Sequence, residues 1–235
     1  MSYTKSRIWI IGAGGIGSAI ASLYNNEHNQ VYLISRRETN QNPIYKTMAL
    51  DYLNDDLVSD LLNKESLPDK VVITSGLLYK NDNFPEKSIT SMDKDWFLES
   101  IMANVLPSMV FLKHLTKKIN KNKIVKVACF SARVGSITDN KLGGWHSYRM
   151  SKAALNMLIK NISIEWQYKS PNSTIISYHP GTVDTNLSRP FQRNVSQDKL
   201  FSSNQAAKYF MDVFEQIDCN QSGKLIDWQG KILEF

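Results

Sequence analysis

The sequence predicts an α/β fold in which a seven-stranded, mostly parallel, doubly wound sheet is flanked by helices on both faces. Three observations predict it. Seven short runs rich in β-branched and apolar residues recur at 7–11, 31–35, 45–50, 70–74, 123–130, 174–179 and 224–227. Longer patterns of helical period separate them, at 16–25, 55–63, 93–120, 148–168 and 204–216. Alternation of this kind builds parallel βαβ units, with right-handed crossovers that place helices on both sides of a sheet. Finally, 235 residues with 42% hydrophobic content can bury a core without staples, and no repeat, low-complexity tract or Pro/Gly/Ser linker divides the chain. Residues 1–235 are therefore expected to form one domain. Residues 187–203 lack a clear period and contain Arg189-Pro190, which predicts a loop or short helix.

The first strand runs directly into Gly12-Ala13-Gly14-Gly15-Ile16-Gly17, a G-x-G-x-x-G segment that opens the first helix. Glycine is needed there for three reasons: a tight turn, close approach of backbone to a pyrophosphate, and close packing of helix on sheet. The helix N-terminus then offers unpaired N–H groups to phosphate. Gly12, Gly14, Gly15, Ile16 and Gly17 are thus expected to line the dinucleotide site of a Rossmann fold. A secretory signal is the competing reading of this region, because Lys5 and Arg7 precede apolar residues 8–23 and Ala19-Ile20-Ala21 resembles a cleavage site. Four glycines at about 1 kcal/mol each argue against a helical signal segment.

The second strand ends in Ser35-Arg36-Arg37, where an NAD site usually carries a carboxylate. A guanidinium can clasp a 2′-phosphate with paired hydrogen bonds, so Arg36 and Arg37 predict NADP(H) as cofactor, although Glu38 follows them. Asp51 and Tyr52 close the third strand and are expected beside the adenine, with Asp51 also readable as a turn residue. Asp55 is expected to be the N-cap of the next helix.

Tyr148 and Lys152 lie four apart near the start of a helical pattern, which places them one turn apart on one face. A free tyrosine has a pKa near 10; lowering it by three units takes roughly 4 kcal/mol, which a neighbouring ammonium and an oxidised nicotinamide can supply. The text around them reads Ser131-Ala132-Arg133-Val134-Gly135-Ser136, then Gly143-Gly144-Trp145-His146-Ser147-Tyr148, then Arg149-Met150-Ser151-Lys152. Together with the glycine loop, Thr74-Ser75-Gly76, Asn104 and the segment from His179-Pro180-Gly181 to Thr185, this resembles the classical short-chain dehydrogenase/reductase family along the whole chain. It is most similar to the subgroup of C-factor-like and sniffer-like carbonyl reductases.

The resemblance implies roles. Tyr148 would be the general acid/base, Lys152 its partner and a ligand of the nicotinamide ribose, and Asn104 the holder of a relay water. Ser75 and Gly76 would border the cofactor, and Pro180, Gly181, Val183 and Thr185 would bind its nicotinamide end. The family's substrate-binding serine falls three residues before a glycine, and counting back from Gly135 reaches Ala132. Ser131 is the expected substitute and Ser136 the second choice. Family resemblance also implies a homodimer or homotetramer, paired through helices 93–120 and 148–168. Met102, Val105, Met109, Leu155, Leu158 and Ile162 there are divided by sequence neither into core nor into interface.

Composition narrows the rest. The net charge of +6 is scattered without a block of like charges, so neither nucleic acid nor membrane is an expected partner. Two cysteines, Cys129 and Cys219, read as free thiols of a cytoplasmic protein. No His/Cys/Asp/Glu cluster has metal-ligand spacing, so no metal is expected. The expected function is NADP(H)-dependent hydride transfer between nicotinamide and a small-molecule carbonyl or alcohol. The alternative is an NADP(H)-binding, C-factor-like signalling or scaffold protein with little turnover. Segments 77–84, 143–146 and 187–203 are expected to shape the substrate pocket, with Tyr79, Trp145 and Phe191 making it apolar.

Overall fold

The computed structural model describes residues 5–37 and 44–235; Glu38 lies outside them. Strand β1 (Ser6–Ile11) and helix α1 (Gly15–Tyr24) are followed by β2 (Asn29–Ser35), β3 (Lys46–Ala49), α2 (Asp55–Lys64) and β4 (Lys70–Ile73). Helices α3 (Lys94–Asn104) and α4 (Leu106–Lys118) precede β5 (Lys126–Phe130), α5 (His146–Lys169) and β6 (Thr174–His179). A small pair, β7 (Thr182–Val183) with β8 (Leu200–Phe201), leads to α6 (Ser203–Gln216), β9 (Leu225–Asp227) and β10 (Ile232–Leu233).

The main sheet has the order β10-β9-β6-β5-β4-β1-β2-β3 and is parallel except for β10 against β9. It has eight strands, one more than the seven expected. The addition is a hairpin turned at Gly230 (φ 79), whose two-residue strand is too short to carry a sequence signal. Because strand neighbours alternate faces, β1 sends Trp9 and Ile11 to a core shared with α2, α4 and α5. Ile8 and Ile10 go to a second core shared with α1 and α6. Strand order reverses between β1 and β4, which opens a crevice at the carboxyl ends of the strands.

Three local expectations are corrected. The helix expected over 93–120 is two helices, since Pro107 has no N–H to meet the carbonyl of Ala103 and the helix breaks at Val105. The fifth strand starts at Lys126, not Lys123, because Asn120 and Lys123 close a turn held by the Ser170 hydroxyl. The cap of α2 is Asn54, whose Oδ1 accepts the N–H groups of Asp56 and Leu57 at 3.0 and 3.1 Å. Asp55 stands one residue inside the helix and binds Lys113 at 2.9 Å. Residues 187–203 hold two 3₁₀ turns, Arg189–Asn194 and Gln197–Lys199, before β8. The ambiguous apolar positions also divide: Leu155 is core, Val105, Leu158 and Ile162 pack against it, and Met102 and Met109 are exposed. Among the described residues no helix is long and apolar enough to cross a membrane.

Candidate active site

A cleft of about 1450 Å³ fills the crevice, bordered by the Gly12–Gly17 loop, Arg36, Arg37, Asp51, Tyr52, Ser75, Gly76 and Thr185. The loop is shaped by contacts that only glycine allows. Gly12 has φ 112, and a Cβ there would lie 2.6 Å from Thr74 Oγ1; one on Gly17 would lie 1.9 Å from the Gly12 carbonyl oxygen. Thr74 donates its hydroxyl to that same carbonyl at 2.9 Å, so a threonine ties the loop to β4 where the family has an asparagine. At Gly14 a Cβ would meet nothing within 4 Å. Gly14 is also the N-cap of α1, contributes no side-chain bond, and precedes a first turn without acidic residues. The uncapped N–H groups therefore face open space beside an unshielded positive helix end, a cradle that fits a pyrophosphate.

Arg36 and Arg37 stand exposed at the far end of the cleft, the Arg36 guanidinium 5.6 Å from the centre of the Tyr52 ring. Asp51 is a turn residue: its Oδ1 accepts the N–H of Leu53 at 3.1 Å while the residue borders the cleft. Pro180, Gly181 and Val183 do not border it. Gly181 turns the chain at φ 75 and Val183 is buried in the β7–β8 pair, a geometry that delivers Thr185 to the cleft.

Tyr148 and Lys152 lie on the inner face of α5, 9% and 3% exposed. The Lys152 ammonium donates to the Phe130 carbonyl at 2.9 Å and sits 5.7 Å from the Tyr148 ring centre. A Cβ on Gly76 would lie 3.4 Å from that ammonium, so the cofactor cleft and the Tyr/Lys pair meet at this glycine. Burial pushes the Tyr148 phenol above the ordinary tyrosine range and pulls the Lys152 ammonium down to about 8. Asn104 joins the same corner. Its Oδ1 accepts the Leu77 N–H at 2.8 Å, and its Nδ2 donates to the Leu77 carbonyl at 2.9 Å and to Ser151 Oγ at 3.0 Å.

Both candidate serines have their hydroxyls engaged. Ser131 donates its hydroxyl to Asn156 Oδ1 at 2.7 Å, a buried bond that fastens β5 to α5. Ser136 Oγ accepts the N–H of Asp139 at 3.1 Å within its own turn. His179 ends β6, and burial holds its imidazole down at about 4, hence neutral.

Over Tyr148 the three expected pocket segments converge as an aromatic roof. Trp145 packs edge-on to Tyr148 at 6.2 Å and to Phe191 at 5.1 Å. Phe191 in turn packs edge-on to Tyr79 and Phe84, which stack on each other at 5.5 Å. The Tyr79 hydroxyl donates to the Asn186 carbonyl at 2.7 Å, closing the roof from 79 to 191. Trp145 has φ 53, a left-handed backbone that costs a non-glycine residue roughly 1–2 kcal/mol.

Two residues at the site were missed from sequence. Ser203 at the start of α6 places its hydroxyl 2.8 Å from where a Gly15 side chain would be, and borders the cleft. Its signal was available: Ser202 and Gln205 form a capping box that fixes this helix start. Glu86, buried against the first turn of α5, carries no local pattern.

The family model for short chain dehydrogenase matches residues 6–196. Among curated proteins, the chain is 26% identical over 179 residues to 1-hydroxy-2-glutathionyl-2-methyl-3-butene dehydrogenase of Rhodococcus sp. (strain AD45), covering 76% of this chain and 74% of that one. It is 26% identical over 204 residues to a benzil reductase of Bacillus cereus, covering 78% of each. To the C-signal of Myxococcus xanthus it is 29% identical over 112 residues, 48% of this chain and 62% of that one. Of the solved structures, the carbonyl reductase Sniffer of D. melanogaster superposes with TM-score 0.80 at 18% identity, over 98% of this chain and 100% of the other. An NADPH-bound carbonyl reductase from chicken fatty liver gives 0.79 at 20% identity, over 99% and 100%. The chain belongs to the short-chain dehydrogenase family of nicotinamide-dependent oxidoreductases.

Proposed function

We propose that the protein is an NADP(H)-dependent carbonyl reductase in which Tyr148 delivers a proton to the substrate oxygen. The observation that carries this reading is the Tyr148–Lys152 pair, buried where the glycine-loop cleft meets the aromatic roof. When bound, the reduced dinucleotide supplies a hydride to the carbonyl carbon. Gly14 and its neighbours hold the pyrophosphate, Ser203 and Thr185 flank it, and Arg36 with Arg37 clasp the 2′-phosphate. Burial keeps the Tyr148 phenol protonated at neutral pH, which is the form that reduction uses. Lys152 stabilises the phenolate left after transfer and holds the ribose. Asn104 keeps the segment at Leu77 against α5 through its bonds to Leu77 and Ser151.

The substrate is an apolar carbonyl compound, and an aryl ketone or diketone suits the roof of Tyr79, Phe84, Trp145 and Phe191, since rings pack edge to face. Two benzil reductases among the relatives support this choice. Met109 and Met157 are exposed apolar residues of α4 and α5, the helices through which two or four copies assemble. The test is consumption of NADPH and NADH over a panel of benzil, simple alkyl ketones, aldehydes and quinones. We expect benzil to be reduced with NADPH roughly tenfold or more faster than with NADH. Absence of consumption with every carbonyl, or a preference for NADH, overturns the reading.

A second reading, a C-signal-like protein that binds NADP(H) and turns over little, is favoured by one observation. Ala132 stands where the family places its serine, and the hydroxyls of Ser131 and Ser136 are bonded elsewhere. It predicts that Tyr148→Phe changes no cellular phenotype while the cofactor still binds.

A further inference from the structure

The amino end of α5 is closed by a residue from a distant loop. The chain enters the helix through three successive left-handed residues, Gly143 (φ 63), Gly144 (φ 64) and Trp145 (φ 53), and Trp145 supplies no side-chain cap. Glu86, in the loop after β4, meets the orphaned donors instead. Its main-chain oxygen accepts the Trp145 N–H at 2.5 Å, its Oε2 accepts the Ser147 N–H at 3.1 Å, and its Oε1 accepts the Ser147 hydroxyl. Glu86 is 6% exposed and Ser147 fully buried. Among the described residues no Lys, Arg or His pairs with this carboxylate, so the positive end of α5 is what balances it.

Its location gives the contact more than a capping role. Tyr148 is the residue after Ser147, and the loop that carries Glu86 also carries Tyr79 and Phe84 of the roof and begins at the Gly76 strip. Glu86 thus ties the loop that carries Tyr79 and Phe84 to the helix turn that carries Tyr148. We propose that Glu86 is a positioning residue for Tyr148, holding the first turn of α5 so that the phenol stays beneath Trp145 and beside Lys152. The proposal rests on the reductase reading for the importance of Tyr148. The charged groups near this corner are Lys152 on the same helix, Lys87 next in the loop, and Arg149, whose guanidinium bonds the Gly144 and Val134 carbonyls at 2.9 and 3.3 Å.

Glu86→Ala and Glu86→Gln separate the alternatives. Glutamine can accept the Ser147 N–H and donate to the Ser147 hydroxyl, keeping the geometry without the charge. Expected is a fall of about 30-fold in kcat for Glu86→Ala with KM for NADPH changed less than about twofold, and recovery to within about threefold in Glu86→Gln. A second readout needs no turnover: the near-ultraviolet circular dichroism of the Trp145–Tyr148 ring pair, taken as the difference from Tyr148→Phe in the same background. It should be lost in Glu86→Ala and kept in Glu86→Gln. Should Glu86→Ala not fold, Ser147→Ala removes the hydroxyl partner and should cost about fivefold in kcat. Unchanged kcat in Glu86→Ala, or in Ser147→Ala where that takes its place, overturns the proposal; so does a ring-pair signal in Glu86→Ala equal to the wild type's. A wild-type chain that reduces no carbonyl, with the ring-pair signal lost in Glu86→Ala and kept in Glu86→Gln, sinks the reductase reading and leaves the placement of Glu86 standing.

Discussion

Helices α1 and α5 both begin without a side-chain cap from their own N-cap residue, yet the two ends are finished in opposite ways. At α1 the cap is Gly14, with nothing within 4 Å of where its side chain would be. At α5 the first turn is already filled by the Glu86 carboxylate. A helix start is an anion site in either case. One opens on the cleft, and the other is closed by a side chain from elsewhere in the chain. Sequence spacing announces the open end through its glycines, whereas the closed end depends on a residue 61 positions away.

The comparison can be broken at several points. Removing the group that the α5 arrangement serves should have the largest effect: Tyr148→Phe is expected to lower kcat by about 10³-fold while NADPH affinity, read by fluorescence titration, is kept. Closing the open end of α1 comes next. Gly14 has φ −73, which any residue adopts, so Gly14→Asp should fold with an unchanged or slightly higher Tm. Its carboxylate would take the phosphate's place and weaken NADPH binding about 100-fold; retained affinity would show that the loop is not the pyrophosphate cradle.

At the other end of the cleft, Arg36→Ala with Arg37→Ala should lower the preference for NADPH over NADH by about tenfold, seen as the ratio of kcat/KM values. The smallest effect is on stability. Lys152 titrates at about 8 in the fold against 10.5 in the open chain. Near pH 7 it is charged in both states, and the burial cost is borne in full. As pH rises past 8 the folded form loses its proton first and that cost is relieved. Unfolding free energy should therefore rise by about 1 kcal/mol between pH 7 and 9 relative to Lys152→Met, measured by urea titration.

Much of the fold was legible because its signals are local. Strands β1, β2, β4 and β6 were placed within two residues, since buried parallel strands read as continuous apolar runs between turns. The cleft's glycine loop and its Arg36-Arg37 end were legible for the same reason. The gathering of Tyr79, Trp145 and Phe191 was also anticipated, from three loops that follow the carboxyl ends of neighbouring strands. What escaped depends on which of several equivalent groups wins. Asn54 and Asp55 are both good caps, and the difference is that Lys113 on α4 draws Asp55 away. Ser131 sits beside the expected serine position, but Asn156 on α5 claims its hydroxyl. The split of α3 from α4 was written in Pro107, and the apolar period on either side masked it.

The reversed strand β10 bears on how copies of the chain can associate. Only Ile232 and Leu233 pair there, so that margin of the sheet offers too short a ladder for another backbone to join. Growth by strand addition is blunted on that side of the sheet.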